Sequence, residues 1–424
     1  MFFSAQAKHL PKRIRKILLV KKGGAVLNAY QNDFPIIQNL SLDTQPYIFL
    51  DNAATTLKPQ TVIDAITHYY THCGATVHRG SYKESERATL MYEHSRSLVA
   101  QLINAKKHEI IFTKGTTDSI HYITELLELK KTDIVINCRQ EHHANFIPWS
   151  EYAQLITIDL SNDGVIDLAA LEMQLKKNKV KLVTIAYASN VTGNVQPVKE
   201  IVALAKQYKA LTCIDGAQVI SHRPVDVVEL DVDFFVFSAH KLFGPSGVGI
   251  LYIHDSLLID LPHKRFGGGM VNVYNDSQKL FKRPPLGFEP GTPAIEAVIG
   301  FGKAIEYVQK VGFEAIMHHH SAWSTYFLRR LECSSWTLAF PKSKDSLAIF
   351  TLRPKKAHVD LSYLTRMLSD TYNIAVNDGQ QCCGPLYFAA DLSTGLRVSA
   401  HLYNPLSDAD YFFQCLNQLE FFIG

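Results

Sequence analysis

The sequence predicts an α/β protein: a mostly parallel central sheet with helices on both faces, followed by a smaller α+β domain. Three observations predict it. Short apolar runs rich in Val, Ile and Phe recur between Ile110 and Tyr252, as buried strands do. Segments with helical apolar spacing separate most of them, and that alternation builds parallel sheets. From Glu296 onward the pattern changes to long helices.

In chain order, residues 1–29 are a basic extension. Lys8, Lys12, Arg13, Arg15, Lys16, Lys21 and Lys22 stand there with no acid before Asp33. An acid-poor basic leader can be a transit peptide, but this one has Ser4 as its only serine, so a frayed extension is the simpler expectation. The large domain is placed at 30–293, with an entry segment at 30–46, and the small domain at 294–424. Strands are expected at 47–50, 110–112, 134–137, 155–158, 182–188, 211–214, 233–237 and 248–252. Helices are expected at 60–72, 83–104, 113–128, 145–154, 168–177, 198–208, 296–311 and 313–331.

Bulk properties exclude some partners. A net charge of +3 on 424 residues is too small to imply nucleic acid or an anionic membrane surface. No apolar run reaches the roughly 18 residues of a membrane span. Seven cysteines, an odd number mostly in apolar segments, do not form a disulfide framework. They fit a reducing cytoplasm, where a free thiol can act as a nucleophile.

Ligand sites in such sheets lie outside the carboxyl ends of the strands, and four motifs fall there. Gly115-Thr116-Thr117 opens a helix, where free N–H groups and the helix dipole suit a phosphate; alone, it would be an ordinary N-cap. Glu141-His142-His143-Ala144-Asn145 offers a ring that can stack on a pyridine and carry protons near neutral pH. Asp215-Gly216-Ala217-Gln218 offers a carboxylate that can keep a pyridine nitrogen protonated, with Gln218 as a donor to a phenolic oxygen. Asp215 alone would equally serve as an N-cap. The fourth motif runs from Asp233 to Tyr252, with Ser238, His240 and Lys241 between two apolar runs. A lysine at the mouth of a buried strand is costly unless neutralised or used, and a Schiff base with an aldehyde cofactor does both. A lone lysine there would be a surface residue of a loop.

The run S-x-H-K-x-x-G-P-x-G-x-G from Ser238 resembles the lysine loop of class V aminotransferase-fold, pyridoxal-phosphate enzymes. Among these the chain is most similar to the Suf-type (group II) cysteine desulfurases and selenocysteine lyases, from about Tyr30 to its end. The resemblance implies fold type I and a homodimer. It makes Lys241 the cofactor-linked lysine and His142 the ring-stacking histidine. It places the phosphate on Thr117, with Thr116 beside it, and on Ser238 and His240. Asp215 and Gln218 take the ring. In Phe288-Glu-Pro-Gly-Thr-Pro293, Thr292 matches a threonine that reaches the neighbouring subunit's phosphate. Asn190, in Ser189-Asn-Val-Thr-Gly193, and Arg397, in Gly395-Leu-Arg-Val-Ser399, match the residues that bind the substrate carboxylate; guanidinium geometry suits that task. The loop Gly379-Gln-Gln-Cys-Cys-Gly-Pro385 puts Cys382 at the sulfur-accepting position, with Cys383 where alanine is usual. Asn377 stands where the family often has arginine.

The implied reaction turns L-cysteine into L-alanine and leaves sulfur on Cys382 for an acceptor protein, with L-selenocysteine as a second substrate. Two rivals remain open from sequence: an aminotransferase, selenocysteine lyase or epimerase on the same fold, which would not need Cys382, and a non-enzymatic cofactor-holding scaffold. His318-His319-His320 is not expected to hold a metal, because helix neighbours one apart do not share a face.

Overall fold

Phe234–Ser238 is buried at every position, and so is Gly249–Ile253, so neither strand can alternate polar and apolar residues. They are neighbouring inner strands of a seven-stranded sheet in the computed structural model, which describes residues 30–42, 45–355 and 359–423. The basic extension 1–29 lies outside the described residues. The sheet strands are β2 (Ile110–Thr113), β3 (Ile134–Cys138), β4 (Gln154–Ile158), β5 (Val180–Ala186), β6 (Leu211–Asp215), β7 (Phe234–Ser238) and β8 (Gly249–Ile253). Their order is β2-β8-β7-β6-β5-β3-β4. Only β8 runs against its neighbours.

That one reversal shapes the site. Being antiparallel to both β2 and β7, β8 leaves those two pointing the same way. The ends of β2, β3, β5, β6 and β7 therefore meet at one edge. Gly249 faces both Thr113 and Ser238 there. A Cβ at Gly249 would stand 2.4 Å from Thr113 Oγ1 and 2.5 Å from Gly115 Cα, so a side chain would force apart the strand ends that carry two of the motifs.

The second core is built on a four-stranded antiparallel sheet, β11 (Trp336–Leu338), β12 (Ile349–Pro354), β15 (Gly395–Ser399) and β14 (Asn377–Gly379). Trp323 stacks on Phe327, and Phe327 on Phe350. β1 (Ile48–Phe49) pairs with β13 (Ile374–Ala375), so Ile48 and Leu50 join this core before the chain crosses to the large sheet.

Most elements lie where periodicity places them, and two differ. The expected helix 145–154 is a 3-10 turn at His143–Asn145 followed by a short helix, Ile147–Tyr152. Pro148 is tolerated only in a first turn, so a helix containing it has to begin beside it. Gln154 opens β4 instead. The sequence groups the helix Ile295–Val311 with the small domain, yet it packs on Gln60–His72 and Lys83–Leu102 and buries its face in the large core. The second core takes up from Trp323. Chain order alone could not show this, because the helix is apolar enough for either core.

A buried ion pair ties down the segment that carries Thr292. The Arg96 side chain is fully buried and bonds Glu289 in fork geometry, Nη1 to Oε1 at 2.6 Å and Nη2 to Oε2 at 2.8 Å. Glu289 Oε1 also accepts the N–H of Phe112 at 2.6 Å. Without Glu289 the buried Arg96 guanidinium keeps only the longer Glu93 contact, at 3.3 Å, and the Ile110 carbonyl, so Glu289→Ala should cost about 3 kcal/mol of stability. Urea unfolding of the variant against wild type checks this.

Candidate active site

The strand ends and the second sheet enclose a cavity of about 350 Å³. It is lined by Thr116, Thr117, His142, Asn190, Asp215, Gln218, Ser238, His240, Lys241, Cys382 and Arg397. Thr292 is not among them. It is exposed and lines separate clefts beside Glu289 and Arg265.

At one end the helix Thr116–Leu126 points its N-terminus at the cavity. Ser238 Oγ accepts the Thr116 N–H at 2.8 Å and lies 2.7 Å from Thr116 Oγ1. His240 Nδ1 lies 3.2 Å from Thr55 Oγ1. The His240 carbonyl accepts from Thr55, Thr56 and Lys58 side chains at 3.0–3.1 Å. The segment after β1 thus clamps the lysine loop from the side.

The middle holds the titrating groups. Lys241 is half-buried, and burial draws its amine down to about 8, an effect opposed by Asp215. Burial pushes the Asp215 carboxyl upward, against the pull of the Ala217 N–H (2.9 Å) and Lys241. Gly216 follows Asp215 because a Cβ there would stand 2.1 Å from the Phe235 ring. Gln218 donates from Nε2 to the Ala53 carbonyl at 2.8 Å, which fixes its amide. His142 Nδ1 accepts the Ala144 N–H at 3.0 Å, so the ring proton sits on Nε2. Burial, then Lys241, His143 and Arg397, lower this imidazole to about 3. A ring so weakly basic suits stacking better than the proton transfer expected from its residue type.

At the far end, both residues matched to the substrate carboxylate already have partners. Arg397 Nη2 pairs with Asp51 Oδ1 at 2.7 Å and Nη1 donates to the Asn190 carbonyl at 3.1 Å, while its buried Nε has no hydrogen-bond partner. Asn377 Nδ2 donates to the other Asp51 oxygen at 3.2 Å. Asn190 Nδ2 donates to the Gln381 carbonyl at 2.7 Å. Sequence reasoning missed Asp51. The signal available was an acid directly after a strand, in D-N-A-A-T-T, but its partner lies 346 positions away.

The cysteine loop is a tight, strained turn. Gln381 and Cys382 both have positive φ, +45° and +56°. The Cys382 carbonyl accepts the His143 N–H at 2.7 Å, and His143 Nε2 accepts the Gly384 N–H at 3.1 Å. Cys382 is exposed and faces the cavity. Cys383 is buried with Val191, Phe340 and Tyr387, its Sγ donating to the Gln140 carbonyl at 3.3 Å, and burial pushes its thiol up.

Known proteins resemble this chain along most of its length. The family model described as aminotransferase class-V matches residues 48–412. A probable cysteine desulfurase of Chlamydia muridarum is 38% identical over 403 residues, covering 92% of this chain and 98% of the relative. A cysteine desulfurase of Escherichia coli is 35% identical over the same span and coverage. Among solved structures, an apo cysteine desulfurase from Thermococcus onnurineus matches with TM-score 0.85 at 29% identity, covering 92% of this chain and 96% of that one. The Escherichia coli cysteine desulfurase CsdA, in its S-sulfonic acid form, matches with TM-score 0.84 at 29% identity, covering 93% and 98%. The chain belongs to the class-V aminotransferase family. Each of these relatives bears the name cysteine desulfurase, the Chlamydia protein as a probable one.

The two adjacent thiols should separate chemically. Iodoacetamide on native protein should label Cys382 and the exposed Cys333 first. Cys383, Cys138 and Cys213 should react only after denaturation. Peptide mapping by mass spectrometry reads the order.

Proposed function

We propose that this protein is a pyridoxal-phosphate-dependent cysteine desulfurase, which converts L-cysteine to L-alanine and retains the sulfur on Cys382. One observation carries the reading: Lys241 and the exposed thiol Cys382 face a single cavity whose wall also holds Arg397.

The donor set fits the cofactor. A doubly charged phosphate suits the helix start at Thr116 and Thr117 together with Ser238 and His240. The buried Asp215 carboxylate, pushed upward in its titration, calls for a cationic N–H partner, which a pyridinium supplies. His142 offers a neutral face for the ring. When bound, the cofactor supplies an electron sink for cleavage at the amino acid's α and β carbons.

The protein's own groups do the rest. Lys241, with its amine drawn down to about 8, can hold or release a proton at Nζ near neutral pH. Arg397 and Asn190, both lining the cavity, bind and orient the substrate carboxylate. Cys382 takes the sulfur. The substrate C–S bond breaks, Cβ gains a proton, and the Cys382 thiolate becomes a persulfide, so no outside oxidant or reductant is needed. Selenocysteine meets the same groups and is the natural second substrate to assay.

Three further expectations belong to this reading. The enzyme is a homodimer in which Thr292 serves the partner's phosphate site, supported by its exposure and its distance from its own cavity lining. The persulfide passes to an acceptor protein for iron–sulfur or other sulfur delivery. The compartment is a reducing cytoplasm; among the described residues no helix is long and apolar enough to cross a membrane.

Cys382→Ala should bind the cofactor with an unchanged visible spectrum yet release little sulfide from cysteine, while Cys383→Ala should keep wild-type sulfide release. Mass spectrometry after one turnover should find the added sulfur on the peptide at Cys382. An active Cys382→Ala variant would return the protein to the aminotransferase or epimerase class.

Cofactor uptake should depend on pH. The neutral amine is the nucleophile, and its share falls about tenfold per pH unit below the amine's pKa. With Lys241 at about 8, the apoenzyme should capture added pyridoxal phosphate faster as pH rises towards 8, then level off. An ordinary lysine would keep accelerating to about pH 10. Stopped-flow absorbance follows the rate.

A further inference from the structure

Away from the cavity, three histidines from distant parts of the chain meet. His222 follows β6 in the large domain. His320 lies in the helix Phe313–Glu332, and His401 follows β15. All three are buried. One ring nitrogen from each can be chosen so that all lie within 4.8 Å of one another. The ring centroids are 4.4–4.8 Å apart in every pairing.

The bonds inside the cluster are few. His222 Nδ1 and His320 Nδ1 are 2.8 Å apart and share one proton. His401 Nδ1 accepts the N–H of its neighbour Leu402 at 2.8 Å. His320 Nε2 and His401 Nε2 are buried with no hydrogen-bond partner. The Ser221 backbone lies near enough to His401 to favour a protonated ring, but its geometry falls short of a hydrogen bond to Nε2. Buried imidazole nitrogens normally find partners, and this cluster holds two without one, of which His401 Nε2 carries the ring proton because Nδ1 accepts. The ring that the sequence offered as part of a His triplet thus finds its partners elsewhere: His318 is exposed on the same helix.

The cluster is reachable. His222 and His320 line a cleft of about 580 Å³ that also holds Met317, Arg223 and Asp345. Arg223 is neutralised by a two-pronged bond to Asp345, at 2.8 and 3.0 Å; of the other basic groups lining the cleft, Lys342 donates to the Thr192, Leu347 and Ile349 carbonyls, and Lys344 is exposed.

We propose that His222, His320 and His401 form a binding site for a first-row divalent transition ion of the Zn²⁺ class. Three neutral imidazoles without thiolate or carboxylate suit Zn²⁺, Ni²⁺ or Cu²⁺ and not Mg²⁺ or Ca²⁺. Three protein ligands leave a fourth position, and the cleft is where water would fill it. Nitrogens bound tetrahedrally at about 2.0–2.1 Å stand a little over 3 Å apart, so His222 and His320 need to separate by about half an ångström, while a pair at the 4.8 Å limit of the cluster closes by about 1.4 Å. Loading displaces the proton shared by His222 and His320, and it costs His401 its Leu402 contact, since either nitrogen of that ring can ligate only if Nδ1 stops accepting. The ion would join both domains: His222 is four residues past Gln218, and His401 four past Arg397. Its role is a staple that fixes the two walls of the cavity.

The test uses full-length enzyme stripped with chelator and titrated with ZnCl₂. X-ray absorption at the zinc edge, at one equivalent, should show nitrogen ligands near about 2.0 Å with imidazole scattering and no sulfur shell at about 2.3 Å. The melting temperature should rise on loading. His401→Ala and His320→Ala should each lose affinity about a hundredfold or more, whereas His318→Ala should bind as wild type. A sulfur shell, meaning capture by a cysteine such as Cys382, would overturn the proposal. So would the absence of binding at micromolar zinc, or undiminished affinity in a folded His401→Ala variant. If those variants do not fold, the wild-type absorption spectrum alone decides.

Discussion

The Lys241 amine cannot behave as an ordinary ammonium, and the rest of the site is arranged around that constraint. It sits at the end of a strand buried at every position. Burial draws the amine down while Asp215 draws it back up. The opposition leaves the Lys241 amine at about 8, able to hold or release a proton near neutral pH. It also requires that the loop after β7 stay in place. Hydrogen bonds from Thr55, Thr56 and Lys58 to the His240 carbonyl supply that restraint from another part of the chain.

The substrate end is poised in a different way. Arg397 and Asn190 are held by Asp51 and by the Gln381 carbonyl. These contacts keep two binding groups oriented while no carboxylate is present, and a substrate carboxylate has to share them or displace them. Displacing the Asn190 contact frees the carbonyl directly before Cys382, in a turn with two successive left-handed residues. Under the proposed function, a substrate carboxylate that took Asn190 from the Gln381 carbonyl would loosen the turn that carries the thiol. Asn377 takes part through Asp51, which gives the departure from the usual arginine a definite structural place.

Two cores share the work. The large sheet contributes the lysine, the aspartate and the helix start. The small sheet contributes Arg397 from β15 and the cysteine loop that follows β14. The histidine cluster lies where the same two halves meet, drawing one ring from beside Gln218 and another from beside Arg397. Geometry at the junction matters to both because the cavity has one wall in each.

Sequence alone determined the alternation of strands and helices and most element positions, because both are written in local apolar periodicity. It also marked Lys241, Asp215, His142 and Cys382, since each stands in a short motif beside a recognisable strand end or turn. The break at Pro148 was legible in principle from the fixed φ of proline. What only the tertiary structure decided were the long-range meetings. No local pattern told that the helix Ile295–Val311 would pack on the large core, because an apolar face does not name its partner. The chain's periodicity was equally silent on which adjacent thiol is solvent-facing, a choice made by left-handed backbone at Cys382 and an apolar pocket around Cys383. Asp51 with Arg397, and His222 with His320 and His401, are pairings of residues far apart in sequence. They exist because β8 reverses the sheet and β1 threads the second core, bringing distant strand ends to one place.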